Sequence, residues 1–223
     1  MIDIKKFQLV GVEENKKPME NYMKNRYPFV GVKSPDRKKQ SKILITESKL
    51  YSLDQLFQTI NYLYQKEERE YQNLAIDMCE ANVNRLSYEE LQDYSQFIQL
   101  KSWWDTVDAW RKIYGLYIKR VPEDKEKMFY YFYQHENMWM RRVSITLQLM
   151  EKEKTDVELL EKAIMFDRYT DEFFIQKAIG WSLRQYSKVN PNWVKAFTSE
   201  KELLPFAKKE ALKQINKQIN EEV

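Results

Sequence analysis

Three basic residues, Arg142, Lys177 and Lys209, each follow an aromatic residue by three positions. Residues three or four apart share a helix face, so stacked helices would set these cations in a row. Asp108 and Trp181 fall near the same row. Basic groups in such a row favour a long polyanion, because each phosphate contact releases condensed counterions. The spacing therefore predicts a polyanion-binding surface that also carries one carboxylate and an indole.

The chain has one histidine, His135, and one cysteine, Cys79. A zinc site of the usual Cys/His kind, a disulfide framework and a CxxC redox pair are therefore excluded. We expect His135 to serve a cap or surface role and Cys79 to be a small core residue. The net charge of +3, from 37 basic and 34 acidic residues, does not by itself indicate a partner.

The elements that position these residues are predicted to be helices. Only 4 of the 223 residues are glycine, and apolar residues recur at three- and four-residue spacing beyond Pro35. Ser87 and Asp156 are predicted N-caps, and Pro35 lies near the start of a helix. Ser102 begins a capping-box pattern, which predicts that a helix starts at Trp103.

An internal repeat organises these helices. Five similar segments start 34, 35, 34 and 32 residues apart, at Glu68, Ser102, Asn137, Asp171 and Leu203. A shorter and more acidic helical pattern precedes each of them, so the unit is a helix pair. The predicted fold is all-α: an α-solenoid of HEAT-like antiparallel helix pairs with a concave basic face. We expect one repeat domain over 1–223, with repeats of about 35 residues from about 52 to 220 and N-terminal helices in 1–50.

The N-terminal sequence MIDIKKFQLVG lacks the apolar region of a signal peptide, and no apolar run approaches the length of a membrane span. With a single cysteine, this predicts a cytoplasmic protein that does not bind membranes.

Four segments in order resemble the bacterial alkylpurine DNA glycosylases built from HEAT-like repeats, the AlkD-like DNA alkylation repair family. The resemblance covers the chain from about Met19 to Ile215. The segments are YMKN from Tyr22, SWWDTVD from Ser102, WMRR from Trp139 and FFIQKAIGW from Phe173.

The resemblance implies hydrolysis of the glycosidic bond of cationic N3- or N7-alkylated purines in duplex DNA, without a metal or organic cofactor. Asp108 would stabilise the sugar cation and position the attacking water. Trp104 and Trp181 would place indole faces against the lesion nucleotide, which Tyr22 would also face. Arg142 would contact a phosphate.

Lys177 and Lys209 are interpreted as further phosphate contacts, and no lysine is predicted to cleave the strand. We expect a monofunctional enzyme that acts as a monomer and associates with the nucleoid when it acts on DNA.

Other interpretations of the same residues remain open. If it had no catalytic role, Asp108 would be a solvated carboxylate or would pair with Arg111 or Lys112. Large aromatic residues prefer burial, so we expect four other tryptophans to be core residues: Trp103, Trp110, Trp139 and Trp193. The protein as a whole would then be a HEAT-like DNA-binding or protein-binding scaffold without excision activity.

Overall fold

The computed structural model describes residues 2–221, with side chains to residue 217, and all their regular elements are helical. This confirms the predicted all-α class for that part of the chain. The chain divides into two compact units, Met1–Phe97 and Ile98–Val223. The division does not decide whether 1–223 is one repeat domain, which stays a prediction.

The first unit contains five α-helices and one 3₁₀ turn among its described residues. They are α1 (Glu13–Tyr22), α2 (Ser34–Ser48), α3 (Leu53–Gln65), α4 (Arg69–Asn82), the 3₁₀ turn Val83–Arg85 and α5 (Tyr88–Tyr94). A single α-helical turn, α6 (Gln96–Gln99), lies at the boundary between the units.

The second unit contains seven longer helices and two 3₁₀ turns among its described residues. They are α7 (Trp104–Arg120), the turn Pro122–Asp124, α8 (Lys125–Phe132), α9 (Met138–Thr146), the turn Lys152–Lys154, α10 (Val157–Asp167), α11 (Phe173–Tyr186), α12 (Pro191–Glu200) and α13 (Pro205–Glu221).

The five segments of the predicted repeat form α4, α7, α9, α11 and α13, and each follows a shorter helical element as expected. Paired helices pack together: α3 on α4, α8 on α9, α10 on α11 and α12 on α13. Within the second unit, α7 also contacts α9, α9 contacts α11, and α11 contacts α13. Four helix pairs are therefore in contact, whereas the repeat organisation, the solenoid and its concave basic face stay predictions.

Most predicted helix starts agree with the structure. Ser87 and Asp156 are N-caps whose side chains accept backbone hydrogen bonds, and Pro35 lies in the first turn of α2. The prediction of a capping box that starts at Ser102 is wrong. The helix α7 begins at Trp104, and the Ser102 hydroxyl instead donates to the Ile98 carbonyl at 2.7 Å.

Gly180 allows α11 and α13 to pack closely. A Cβ atom on this residue would lie 2.3 Å from Cβ of Glu210 and 2.9 Å from the carbonyl oxygen of Ala207. Both distances are below ordinary van der Waals contact, so any larger residue would push α13 away. The glycine thereby fixes the spacing of the helix that carries Lys177 and the helix that carries Lys209.

A buried carboxylate in the first unit holds the segment between α1 and α2. Glu70 at the start of α4 is fully buried and accepts hydrogen bonds from the backbone of Val30, Gly31 and Val32 at 2.9–3.0 Å. A charged acceptor satisfied by several backbone donors is a strong local tie. It anchors the chain that follows Tyr22 to the repeat helices of the first unit.

Candidate active site around Asp108

A bidentate ion pair joins α7 and α9 in the second unit. The Arg142 guanidinium of α9 donates from Nε to Oδ1 of Asp108 and from Nη2 to Oδ2, each at 2.9 Å. The Arg142 side chain is only 2% exposed, and the Asp108 side chain is 21% exposed. The sequence offers Arg111 and Lys112 as nearby partners of this carboxylate, but the geometry pairs it with Arg142.

Arg142 also ties α9 to α11. Its Nη1 donates to the carbonyl oxygen of Phe174, and its guanidinium carbon lies 5.9 Å from the Phe174 ring centroid. The same carbon lies 6.0 Å from the centroid of Trp181, within the range of a cation–π contact. One buried guanidinium therefore links Asp108 and Trp181, which the repeat phase had predicted to be neighbours.

A second buried guanidinium, which was not among the residues predicted for the site, lies beside the same indole. Arg111, one turn after Asp108 on α7, is 7% exposed, and its guanidinium carbon lies 5.6 Å from the Trp181 ring centroid. Among the described residues, its Nε and Nη1 atoms are buried without a hydrogen-bond partner. The sequence feature that could have placed Arg111 in the site is its position three residues after Asp108, on the same helix face.

Burial and neighbouring charge both act on Arg111. Loss of hydration lowers the pKa of the Arg111 guanidinium, Asp108 opposes that change, and Arg142 lowers the pKa further. Arginine remains charged at neutral pH despite such a shift because its ordinary pKa exceeds about 12. The indole of Trp181 is thus flanked by two cations, and one carboxylate lies close to both.

Trp104 and Trp181 are both half-buried, so neither indole is closed off in the core. Trp104 is the first residue of α7 and lies one helical turn before Asp108. Trp103 contacts the rings of Trp139 and Phe174, with centroid distances of 6.1 and 4.8 Å. The prediction that four other tryptophans are core residues holds for Trp110 and Trp139, whereas Trp103 and Trp193 are half-buried.

The two predicted lysine contacts lie on the surface. Lys177 on α11 and Lys209 on α13 are both exposed, and the Lys177 ammonium lies 5.6 Å from the Phe173 ring centroid. The exposed rings of Phe173 and Phe206 are 5.3 Å apart. The predicted row of cations is therefore divided: these two lysines face solvent, whereas Arg142 is buried in an ion pair.

Tyr22 is the last residue of α1 in the first unit and is 68% exposed. None of the residues of α1 is buried, and Lys24 and Asn25, which follow it, adopt left-handed backbone angles with φ of 57° and 55°. The role of Tyr22 at a lesion stays a prediction.

The remaining sequence expectations concern single residues. Cys79 is fully buried in α4, as expected for a core residue, and burial raises the pKa of its thiol well above the ordinary value. Nδ1 of His135 accepts a hydrogen bond from the backbone of Asn137 at 2.9 Å, directly before α9. The N-cap of α9 is Asn137, whose side chain accepts from the Trp139 backbone, so the His135 contact is a local bond before the helix and not a cap.

Among the described residues, no group of three or more His, Cys, Asp or Glu side chains is arranged to hold a metal ion. In the same part of the chain, no helix combines the length and apolar character needed to cross a membrane.

The described part of the chain is all-helical and carries a site that combines charged groups with indoles. Comparison with known proteins identifies the family that shares this sequence. Residues 4–215 match the sequence model of the family described as "DNA alkylation repair enzyme". The chain belongs to that family, and the resemblance noted from the sequence is confirmed.

A solved structure is similar over nearly its whole length. It is described as "Predicted DNA alkylation repair enzyme from Enterococcus faecalis" and is 48% identical in sequence, with a TM-score of 0.91. The alignment covers 92% of this chain and 97% of that one. A search of curated proteins found no match.

Proposed function

We propose that this protein is a DNA glycosylase that hydrolyses the N-glycosidic bond of cationic N3- or N7-alkylated purines in duplex DNA. The observation that carries the proposal is a partly buried carboxylate, Asp108, beside the half-buried indole of Trp181 in a DNA alkylation repair family member. These are groups that attract a cationic nucleotide.

The chemistry requires no general acid at the leaving group. An alkylated purinium carries its positive charge before the reaction, and the electron pair of the C1′–N bond leaves with the base and neutralises it. The positive charge then develops on the deoxyribose, where the Asp108 carboxylate stabilises it. Water adds its oxygen to C1′ and loses one proton, which Asp108 accepts on the way to solvent.

The indoles provide selectivity for charged bases. A cation–π contact of Trp104 or Trp181 with the cationic base contributes about 0.5–2 kcal/mol, and a neutral purine lacks this term. Exposed Lys177 and Lys209 contact phosphates, and Tyr22 faces the lesion. In this proposal the helix pairs form a solenoid whose concave basic face holds the duplex, and a monomer acts in the cytoplasm without a metal or cofactor.

A second candidate, a DNA-binding protein of the same family without excision activity, is favoured by the Asp108–Arg142 pair. The bidentate contact already balances the charge of the carboxylate. A developing sugar cation would therefore compete with a resident guanidinium for the charge of Asp108.

Release of 7-methylguanine from methylated duplex DNA separates the two candidates. The purified protein is incubated with the duplex in EDTA, and free base and strand breaks are measured in parallel. Free base with abasic but uncleaved strands is expected for a monofunctional glycosylase. Binding of the duplex with no released base after long incubation would overturn the glycosylase proposal in favour of the second candidate.

A further inference from the structure

The charged groups around Trp181 do not balance. The guanidinium carbons of Arg111 and Arg142 lie 5.6 and 6.0 Å from the Trp181 ring centroid, and Asp108 is paired with Arg142. Two guanidinium groups and one carboxylate leave one net positive charge in a mostly buried cluster. An uncompensated buried charge is costly, because its lost hydration is not replaced by a partner.

The hydrogen bonds locate the imbalance at Arg111. Arg142 uses Nε, Nη1 and Nη2 in bonds to Asp108 and Phe174. Arg111 is more than nine-tenths buried, yet its Nε and Nη1 have no partner among the described residues. Buried donors of this kind are rare in native proteins and each calls for a specific explanation.

The charge of the cluster also conflicts with the proposed chemistry. A net positive charge repels both a cationic purine and a developing sugar cation. An anion bound to Arg111 removes this repulsion and satisfies the buried donors at the same time. The planar guanidinium presents N–H groups in a fork that matches two phosphate oxygens.

We propose that Arg111 is an anion-binding residue of this site and that its ligand is a phosphodiester group of bound nucleic acid. The inference rests on the proposed function for its choice of nucleic acid as the source of the phosphate. Nε and Nη1 are buried in this structure, so binding requires a rotamer change of Arg111 or of Trp181, which lies against it. The phosphate then neutralises one guanidinium and leaves Asp108 as the group that meets the sugar cation.

Side-chain NMR tests the contact directly on the wild-type protein. The Nε–Hε signal of Arg111 is assigned by its loss in Arg111→Lys, and inorganic phosphate and an undamaged duplex are titrated separately at constant ionic strength. A saturable shift of this signal with the duplex is expected, whether or not the protein excises bases.

The titration distinguishes failure of this inference from failure of the proposed function. A constant Arg111 signal, while backbone signals around Lys177 shift with the duplex, overturns the inference and leaves the proposed function standing. A shift with inorganic phosphate and none with the duplex assigns the site to free phosphate and also overturns it. No shift of any signal with the duplex overturns both.

The salt dependence of duplex binding provides a second, independent measurement. Arg111→Gln should weaken binding about tenfold at moderate salt and reduce the slope of log K against log salt by about one. Arg111→Lys should restore most of the slope, because it keeps the charge. The matched control Arg168→Gln removes a cation from the same unit and should leave the slope unchanged.

Weaker binding of Arg111→Gln with an unchanged slope would assign Arg111 a purely structural role and overturn the inference. Thermal unfolding of each variant shows whether it is folded. If Arg111→Gln does not fold, the slope of Arg111→Lys and the wild-type NMR titration still decide the outcome.

Discussion

The Asp108 carboxylate accepts two hydrogen bonds from Arg142, so any cation that approaches it competes with a resident guanidinium. This single contact has opposite meanings for the two candidate functions. In a glycosylase, Arg142 holds the carboxylate in a fixed orientation until substrate arrives. In a DNA-binding protein without activity, the same pair is a permanent structural tie between α7 and α9.

Replacement of Asp108 by asparagine should separate chemistry from binding. Asp108→Asn keeps the size of the side chain and removes its charge, so excision should fall by about 10²- to 10³-fold, the scale of losing one transition-state electrostatic contact. Binding of undamaged duplex should change little. Single-turnover base release and duplex affinity are the measurements.

The matched control is Asp171→Asn, an exposed acid before α11 in the same unit. Excision by this variant should stay at the wild-type rate. Equal loss of binding and excision in Asp108→Asn would indicate that Asp108 holds the structure rather than the transition state.

Removal of Arg142 should destabilise the fold more than removal of an ordinary surface cation. Arg142→Met leaves the partly buried Asp108 without its partner and should lower the free energy of unfolding by about 3–5 kcal/mol. The double variant Asp108→Asn/Arg142→Met should recover part of this loss. Denaturant unfolding measures both, with Arg168→Met as the control.

A loss below about 1 kcal/mol for Arg142→Met would show that the pair behaves like a surface ion pair. In that case Arg142 would be free to leave Asp108 at little cost, which favours the phosphate-contact role implied by the family resemblance.

At the scale of helices, the individual helices were predictable because their signals are local. Each helix is marked by apolar residues at three- and four-residue spacing and by short polar caps such as Ser87 and Asp156. The start of α7 was misplaced because Ser102 had two possible backbone partners. A sequence pattern shows that a hydroxyl can cap a helix but not which backbone group it bonds.

The close contact of α11 and α13 predicts the effect of a single methyl group. Gly180→Ala should destabilise the protein by about 1–3 kcal/mol, because overpacking outweighs the gain in helix propensity. Gly115→Ala is the matched control, since a Cβ there meets only the Leu147 carbonyl oxygen, at 3.3 Å. Equal or higher stability of Gly180→Ala in thermal unfolding would contradict the close contact.

Burial of Cys79 in α4 predicts a loss of stability at high pH. The pKa of the thiol is raised in the folded state, whereas it is about 8.5 in an unfolded chain. The neutral thiol therefore favours folding fully below pH about 8.5, and this contribution is lost as the pH rises and the unfolded state ionises.

The measurement is denaturant unfolding between pH 7 and pH 10 for the wild type and for Cys79→Ala. The stability difference between the two proteins should shrink as the pH rises. In the same range, alkylation of the native thiol by iodoacetamide should be slow. Rapid alkylation of the folded protein would contradict the burial of Cys79.

At the scale of the whole molecule, a net charge of +3 understates the basic surface that the proposed function needs. Lys177 and Lys209 are exposed on α11 and α13, which pack together, so both are available to one phosphate backbone. The salt dependence of duplex binding reflects the number of phosphate contacts, and its measurement does not require the protein to excise bases.

Replacement of both lysines should flatten the salt dependence of duplex binding. For Lys177→Gln/Lys209→Gln, the slope of log K against log salt should fall by about two, because each phosphate contact contributes about 0.9. The control Lys195→Gln removes an exposed cation from α12, the first helix of its pair, and should leave the slope unchanged. Equal slopes for all three proteins would remove these lysines from the interface.

The sequence by itself determined the all-helical class, the polar caps at Ser87 and Asp156, and the family. Helical periodicity and capping depend on residues within a few positions of one another, so they can be predicted from the sequence without a structure. Only the tertiary structure decided that Arg142 is buried against Asp108, 34 residues away, and that Arg111 is buried beside Trp181 with unsatisfied donors. The hydrogen-bond partner and the burial of each arginine depend on how α7, α9 and α11 pack. The spacing of these arginines in the sequence would be the same if they lay on a solvent-exposed helix face.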